Sequence, residues 1–476
     1  MDAGTKSRLG QFLTPVSIAA FMASLFADTG TQPIRLLDAG AGVGTLTTAF
    51  LQEIRQRPTT SEVEVTAYEI DSSLRLHLEE VLAAYSLAFG RFKFEIKKPD
   101  FIEDSSARLI FGNRGDFTHA ILNPPYKKIN SSSDHRQMLR SVGIETVNLY
   151  SAFVALAIRL MAPGGQIVAI IPRSFCNGPY YRPFRELMLR ETSIHRIHLF
   201  ESREKAFSDD DVLQENVILH LEKNGTQGKV FVSTSTDDTF TDLEIRTFEF
   251  EQILSPNDRE IFFHIPTSDE PNFLESSESF NYSLADLGIE VSTGPVVDFR
   301  LKTHISQMPT PGSVPLLYPG HFTERGVEWP KSDSKKPNAI AFNEATERWL
   351  FPVGFYAVVR RFSAKEERRR LYAGVVDSKV FATFDAIGFE NHLNVFHIRK
   401  HGLDESIARG LAIFLNSTVA DVYFRRFNGH TQVNATDLRS MRYPSREKLA
   451  ILGNQVRDLG IPDQNLIDSV VESMAL

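Results

Sequence analysis

The run His119-Ala120-Ile121-Leu122-Asn123-Pro124-Pro125-Tyr126 changes character abruptly after Leu122. His119 to Leu122 reads as a buried strand, and the two prolines end it because they have no N–H to give a ladder. A rigid loop is left at the carboxyl end of a strand, where open α/β sheets place their ligands. It groups an amide oxygen, a backbone carbonyl and an aromatic face around one small volume, which suits a planar amine.

Working upstream, three more strands end in polar residues. Ile34 to Leu37 runs into Asp38-Ala39-Gly40-Ala41-Gly42-Val43-Gly44, a loop whose glycines let backbone approach a ligand at the start of the next helix. Val63 to Tyr68 ends in Glu69-Ile70-Asp71, an acid 31 residues after Asp38 that can accept both hydroxyls of a ribose. Phe92 to Ile96 leads to Pro99-Asp100-Phe101. Asp38, Glu69, Asp100 and Asn123 therefore sit on four successive strand ends, the pattern of a cofactor edge. Before them, Thr14 is placed as an N-cap with Pro15 in the first turn. Ile18, Phe21, Met22, Leu25 and Phe26 then recur at helical spacing.

Downstream, Leu149 to Met161 reads as a helix broken by Pro163-Gly164-Gly165, and Gln166 to Ile171 as a fifth strand. Ile194 to Phe200 and Asn216 to Leu221 follow with a link too short for a parallel crossover, so they are predicted to form an antiparallel edge hairpin. The fold class over residues 1–223 is thus α/β, a doubly wound and mostly parallel sheet. Residues 224–283, acidic and rich in Ser and Thr, read as a connecting region. From 284 to 476 the chain turns aromatic and basic.

The 476 residues are 42% hydrophobic and 24% charged, ordinary for a globular protein with a sizeable core. No apolar run reaches the roughly 18 residues of a membrane span, and MDAGTKSRLGQ lacks a signal-peptide core, so a cytoplasmic protein with no membrane partner is expected. One cysteine, Cys176, excludes an internal disulfide. The histidines lack metal-ligand spacing, and no metal is expected.

The net charge of −8 is unevenly spread. Glu201 to Glu290 holds 21 acidic and 6 basic residues, whereas Phe355 to Arg446 holds 15 basic and 9 acidic. Local fields, not the total, decide which polyanions approach. Phe355 to Phe362 reads as a strand delivering Arg360 and Arg361. Tyr423 to Gln432 interleaves aromatics with Arg425, Arg426, His430 and Gln432, a mixture suited to phosphates and base edges.

Gly10-Gln-Phe-Leu-Thr-Pro15, Asp38-Ala-Gly-Ala-Gly42, Glu69-Ile-Asp71, Asp100-Phe101 and Asn123-Pro-Pro-Tyr126, in that order, resemble the gamma-class adenine-N6 DNA methyltransferases of type II restriction–modification systems. The resemblance implies a catalytic domain first and a mixed α+β target-recognition domain after it, with S-adenosylmethionine as cofactor and double-stranded DNA as substrate. A separately encoded restriction endonuclease is implied as system partner. Thr14 would lie by the methionyl end of the cofactor, and Asp38, Gly40, Ala41 and Gly42 by its amino-acid part. Glu69 would meet the ribose, and Asp100 with Phe101 the adenine. Pro125 and Phe153 would line the same pocket, and Phe207 would pack on a flipped base.

Physical chemistry supports that role for the loop. An adenine amino group is a poor nucleophile because its lone pair is delocalised into the ring. If the Asn123 side-chain oxygen and the Pro124 carbonyl each accept one hydrogen, the nitrogen is drawn toward tetrahedral geometry and its developing charge meets two fixed dipoles. Tyr126 would hold the base by stacking. Three alternatives stay open on sequence: transfer to a protein glutamine, transfer to structured RNA, and a nicotinamide dinucleotide-binding protein that uses the glycine loop and Glu69 alone.

Overall fold

A computed structural model describes residues 14–28, 32–57, 62–88, 91–112, 115–201, 215–256, 258–268, 280–323, 326–455 and 463–474. The chain divides into two compact units, Met1–Asp269 and Glu270–Leu476.

The first unit is built on β1 (Ile34–Ala39), β2 (Val63–Tyr68), β3 (Phe92–Lys97), β4 (Phe117–Leu122), β5 (Met161–Pro172), β6 (Thr192–Phe200), β7 (Asn216–Lys223), β8 (Val230–Ser235) and β9 (Glu244–Phe248). They form a nine-stranded sheet in the order β3-β2-β1-β4-β5-β7-β6-β8-β9. Strands β1 to β5 are mutually parallel. β7 runs antiparallel to both β5 and β6, as the short link required. The strand order reverses between β1 and β4, and in open α/β sheets that switch point is where ligands bind. Asp38 is on one of those two strands and Asn123 follows the other.

Side chains alternate across each strand and feed two cores. Leu36 and Ile121 face one side, with Ile18 and Met22 of α1 (Val16–Ser24), Phe50 of α2 (Thr45–Gln56) and Leu78 of α3 (Ser72–Ala88). Leu37 and Leu122 face the other, with Ile102 of α4 (Phe101–Ile110), Leu139 of α5 (Asp134–Ser141), Ile158 of α6 (Leu149–Leu160) and Phe184 of α7 (Arg182–Glu191). Among the described residues, no helix is long and apolar enough to cross a membrane. Cys176 is buried, and burial pushes its thiol up to about 12, so it packs as a small apolar side chain.

Two expectations need correction. Residues 230–235 and 244–248 are not part of a connector but extend the sheet as β8 and β9. β9 is an edge strand, half exposed and charged, and charged edges resist pairing with a foreign strand; that composition is what resembled a linker. Thr14 does not cap α1, whose N-cap is Pro15 with no side-chain bond, because its hydroxyl is engaged elsewhere, as described below.

The second unit contains a four-stranded antiparallel sheet in the spatial order Glu290–Thr293, Leu393–His397, Tyr356–Arg360, Ala373–Val376. A second, mixed sheet of five short strands accompanies it. Helices Glu405–Leu415, Thr418–Phe427, Ala435–Ser440, Arg446–Gln455 and Gln464–Glu472 follow.

Candidate functional site

The carboxyl edge of the first sheet gathers the predicted residues. Asp38 is fully buried; its Oδ2 accepts from the Thr47 hydroxyl at 2.6 Å, whereas Oδ1 has no partner among the described residues. Burial pushes this carboxyl up to about 7; the Thr47 bond opposes the rise and the neighbouring Glu69 charge adds to it. An orphaned acid oxygen beside a second carboxylate is an unfavourable arrangement that a cationic ligand would relieve.

Glu69, 2% exposed, follows β2 and accepts from the Gly42 amide at 2.9 Å and the Asp71 amide at 2.8 Å. It thereby ties the glycine loop to the tip of the neighbouring strand. Gly40 has φ +84°, and a side chain there would stand 3.8 Å from the Phe153 ring, so bare backbone faces that ring. Ala41 is buried beside it, and the Gly40 and Ala41 amides both donate to the Tyr68 carbonyl at 2.9 Å. Asp100 caps α4, with Oδ1 accepting from the Ile102 and Glu103 amides. Phe101 and Phe153 lie with ring centroids 4.9 Å apart and make an apolar wall beside the acids.

Asn123 is gripped at both ends of its amide. Its Nδ2 donates to the Thr14 hydroxyl at 2.9 Å, and its Oδ1 accepts from the Tyr126 hydroxyl at 3.0 Å. The two bonds set the plane of the amide. Pro124 is buried and Pro125 half-buried. The loop's exit is fixed too: the Ile129 amide donates to Val147 O and the Leu149 amide to Lys127 O, each at 2.8 Å, which pins it to the start of α6. Tyr126 meets Tyr150 edge-on at 6.3 Å, and Tyr150 stacks on Tyr181 at 5.8 Å.

Thr14, Asp38, Gly40, Ala41, Gly42, Glu69, Asp100, Phe101, Asn123, Pro124, Pro125, Tyr126 and Phe153 thus all sit at or beside this one edge. Phe207 lies outside the described residues. Sequence reasoning passed over Thr47, Asn148, Tyr150 and Tyr181. A Thr one turn into the helix after a glycine loop was a usable signal for the first; the other three are joined only by the fold.

The second unit uses its arginines unequally. Arg425 donates to Asp421 Oδ2 at 2.6 Å, Lys365 O at 2.7 Å and Glu367 O at 2.8 Å, so it fastens the loop after Phe362 to the helix Thr418–Phe427. Arg360 bonds Phe362 O at 2.6 Å, pairs with Glu367 and lies over the Tyr372 ring. Arg361 bonds Asn391 O at 3.2 Å. Arg426, His430 and Gln432 are half-buried along the same stretch, with the Asn428 side chain bonded to Gln432 O at 3.0 Å.

The family model of the Eco57I restriction-modification methylase matches residues 52–207. The chain is 51% identical to the type II methyltransferase M.BsuBI of Bacillus subtilis over 478 residues, 99% of this chain and 95% of that one. It is 44% identical to the type II methyltransferase M.PstI of Providencia stuartii over 479 residues, covering 99% and 94%. Of the solved structures, the DrdV–DNA complex shares the fold at TM-score 0.53 and 13% identity, over 97% of this chain and 58% of that longer one. Taken with the strand order and the acid-lined edge, these likenesses show that the chain belongs to the type II restriction–modification methyltransferases, which use S-adenosylmethionine.

Proposed function

We propose that the chain is a site-specific DNA adenine methyltransferase that modifies the exocyclic N6 amino group of an adenine flipped out of the duplex. The observation that carries this reading is the doubly held Asn123 amide, set at the sheet's switch point beside an acidic pocket with one orphaned oxygen. S-adenosylmethionine supplies an electrophilic methyl group on a sulfonium. Asp38 and the Gly40–Gly42 loop would hold its amino-acid end, Glu69 its ribose, Asp100 its adenine amine and Phe101 with Phe153 its ring, and Thr14 would border the methionyl end. Asn123 Oδ1 and the Pro124 carbonyl accept the two amino hydrogens of the base. That desolvates the nitrogen and gathers its lone pair on the side facing the cofactor edge. Tyr126 borders the base, and its hydroxyl keeps Oδ1 aimed. A base inside a duplex must first be extruded to reach such a pocket.

The second unit supports DNA as acceptor, with Arg360, Arg361, Arg426, His430 and Gln432 as its DNA-facing set and Arg425 holding the loop from behind. A separately encoded endonuclease would be the system partner. The two full-length type II methyltransferase relatives favour this over a protein or RNA acceptor. Incubation with labelled cofactor and unmethylated plasmid, tRNA or release factor tests the reading, followed by single-molecule sequencing of the plasmid. N6-methyladenine at one recurring site is expected. Label in protein or RNA alone overturns it, and methyl groups on cytosine would remove the adenine assignment.

The raised Asp38 carboxyl gives a pH prediction. A cationic ligand binds the ionised form, which is depleted as pH falls below about 7. Cofactor affinity should therefore weaken about tenfold per pH unit below that point and level off above it. Calorimetric titration from acid to alkaline pH checks the slope, and Asp38→Asn should bind weakly at every pH. A flat profile for the unaltered chain would separate Asp38 from the ligand's charge.

A further inference from the structure

One 3-10 turn (Arg173–Cys176) beyond β5, the segment Asn177-Gly178-Pro179-Tyr180-Tyr181 places one large aromatic in solvent: Tyr180 is 73% exposed, whereas Tyr181 is 8% exposed. The segment is firmly mounted. The guanidinium of Arg185, itself fully buried, donates to Asn177 O and Gly178 O, each at 3.1 Å, and to Phe175 O at 2.8 Å. The Tyr181 hydroxyl accepts from Asn148 Nδ2 and from Ser174 Oγ, the latter at 3.4 Å, and the Tyr181 ring stacks on Tyr150.

Asn148 also joins this segment to the catalytic loop, because its backbone bridges to Lys128. Lys127 and Lys128 are exposed, with no ion pair among the described residues. Through its bond to Tyr181, Asn148 thus connects the turn that carries the solvent-facing Tyr180 to the segment that carries the two exposed lysines after Tyr126. A ring this exposed adds little to the core, and the turn is already ordered by Arg185 and Tyr181. Tyrosine presents a flat, stiff face at low entropic cost, and stacking on a base tolerates any sequence.

We infer that Tyr180, Lys127 and Lys128 form the DNA-facing lip of the catalytic unit. Tyr180 stacks on the nucleotide next to the extruded one, and the lysines neutralise the adjoining phosphates. The assignment rests on the DNA reading given above. It makes Tyr180 a positioning residue that touches neither cofactor nor reacting atoms.

The test measures DNA affinity, its salt dependence and the kcat–KM split on the full chain, using duplex oligonucleotides that carry the methylated site. Tyr180→Ala should weaken DNA binding roughly tenfold and raise KM with little change in kcat, while cofactor affinity stays unchanged. Tyr180→Phe, which keeps the ring, should behave as the unaltered chain. Lys127→Ala combined with Lys128→Ala should reduce the slope of log affinity against log salt by about 2. Equal affinity and KM for Tyr180→Ala, or equal losses for Ala and Phe, overturn the stacking role. An unchanged salt slope overturns the lysine contacts. If the unaltered chain methylates no DNA, the DNA reading fails and takes this lip with it; if it does and the variants match it, the lip alone fails.

Discussion

Asn123→Ala is expected to lower methyl transfer by at least about 10²–10³-fold, the usual loss when one preorganised group facing developing charge is removed. The affinity for S-adenosylmethionine should stay within a few-fold of normal. The two outcomes separate because different elements carry the two tasks. The acids and glycines of the candidate cofactor edge belong to β1, β2, β3 and their loops, held by bonds such as Gly42 N to Glu69, Thr47 to Asp38 and the Ile102 amide to Asp100 that do not involve Asn123. Asn123 meets that edge through Thr14, whose hydroxyl accepts from its Nδ2 at 2.9 Å. Asn123→Asp sharpens the test: it keeps an acceptor but cannot donate to Thr14, so part of the activity should return if acceptance is the main role. Single-turnover transfer together with equilibrium cofactor binding measures both quantities. Turnover within threefold of normal for Asn123→Ala would remove the amide from the mechanism.

The grouping of the candidate residues was legible in the sequence because four strands each run into a polar residue, and a parallel sheet places such ends side by side. Asp38, Glu69, Asp100 and Asn123 needed only that rule. The edge beyond β6 was not legible. Val230–Ser235 and Glu244–Phe248 sit in an acidic, Ser- and Thr-rich stretch, and composition cannot separate a charged edge strand from a solvated linker; only pairing of β8 with β6 does that. The arginines of the second unit mark a different limit. Arg425 and Arg426 look alike in sequence, yet Arg425 has three hydrogen bonds into its own unit. The one local hint was Asp421 four residues earlier, the spacing of a helical ion pair. Thr14 shows the converse: a residue with the right identity for a cap was taken by a longer-range partner, Asn123.

Arg185→Leu should destabilise the protein by about 3–5 kcal/mol, among the largest single-residue effects expected away from the chemistry. Four backbone carbonyls, those of Phe175, Asn177, Gly178 and Glu260, accept from this one guanidinium at 2.7–3.1 Å, and its plane lies over the Phe262 ring. Leucine would fill part of the volume but satisfy none of the acceptors, and each buried acceptor left without a donor costs about 1–3 kcal/mol. Local relaxation toward water keeps the total below their sum. Lysine would retain the charge but not the planar fork that reaches several carbonyls at once, so Arg185→Lys should fall between the two. For a unit of this size the leucine change corresponds to a fall in Tm of roughly 6–10 °C, read as the transition of the first unit in a calorimetric scan. The consequence for function is separate from the loss of stability. At a temperature where the variant is still folded, the loosened segment 175–181 should raise KM for DNA as Tyr180→Ala does, because the ring would lose its mount while remaining present. Normal KM and a Tm within 2 °C of the unaltered chain would mean that the four carbonyls find other donors and that Arg185 is not what holds the turn.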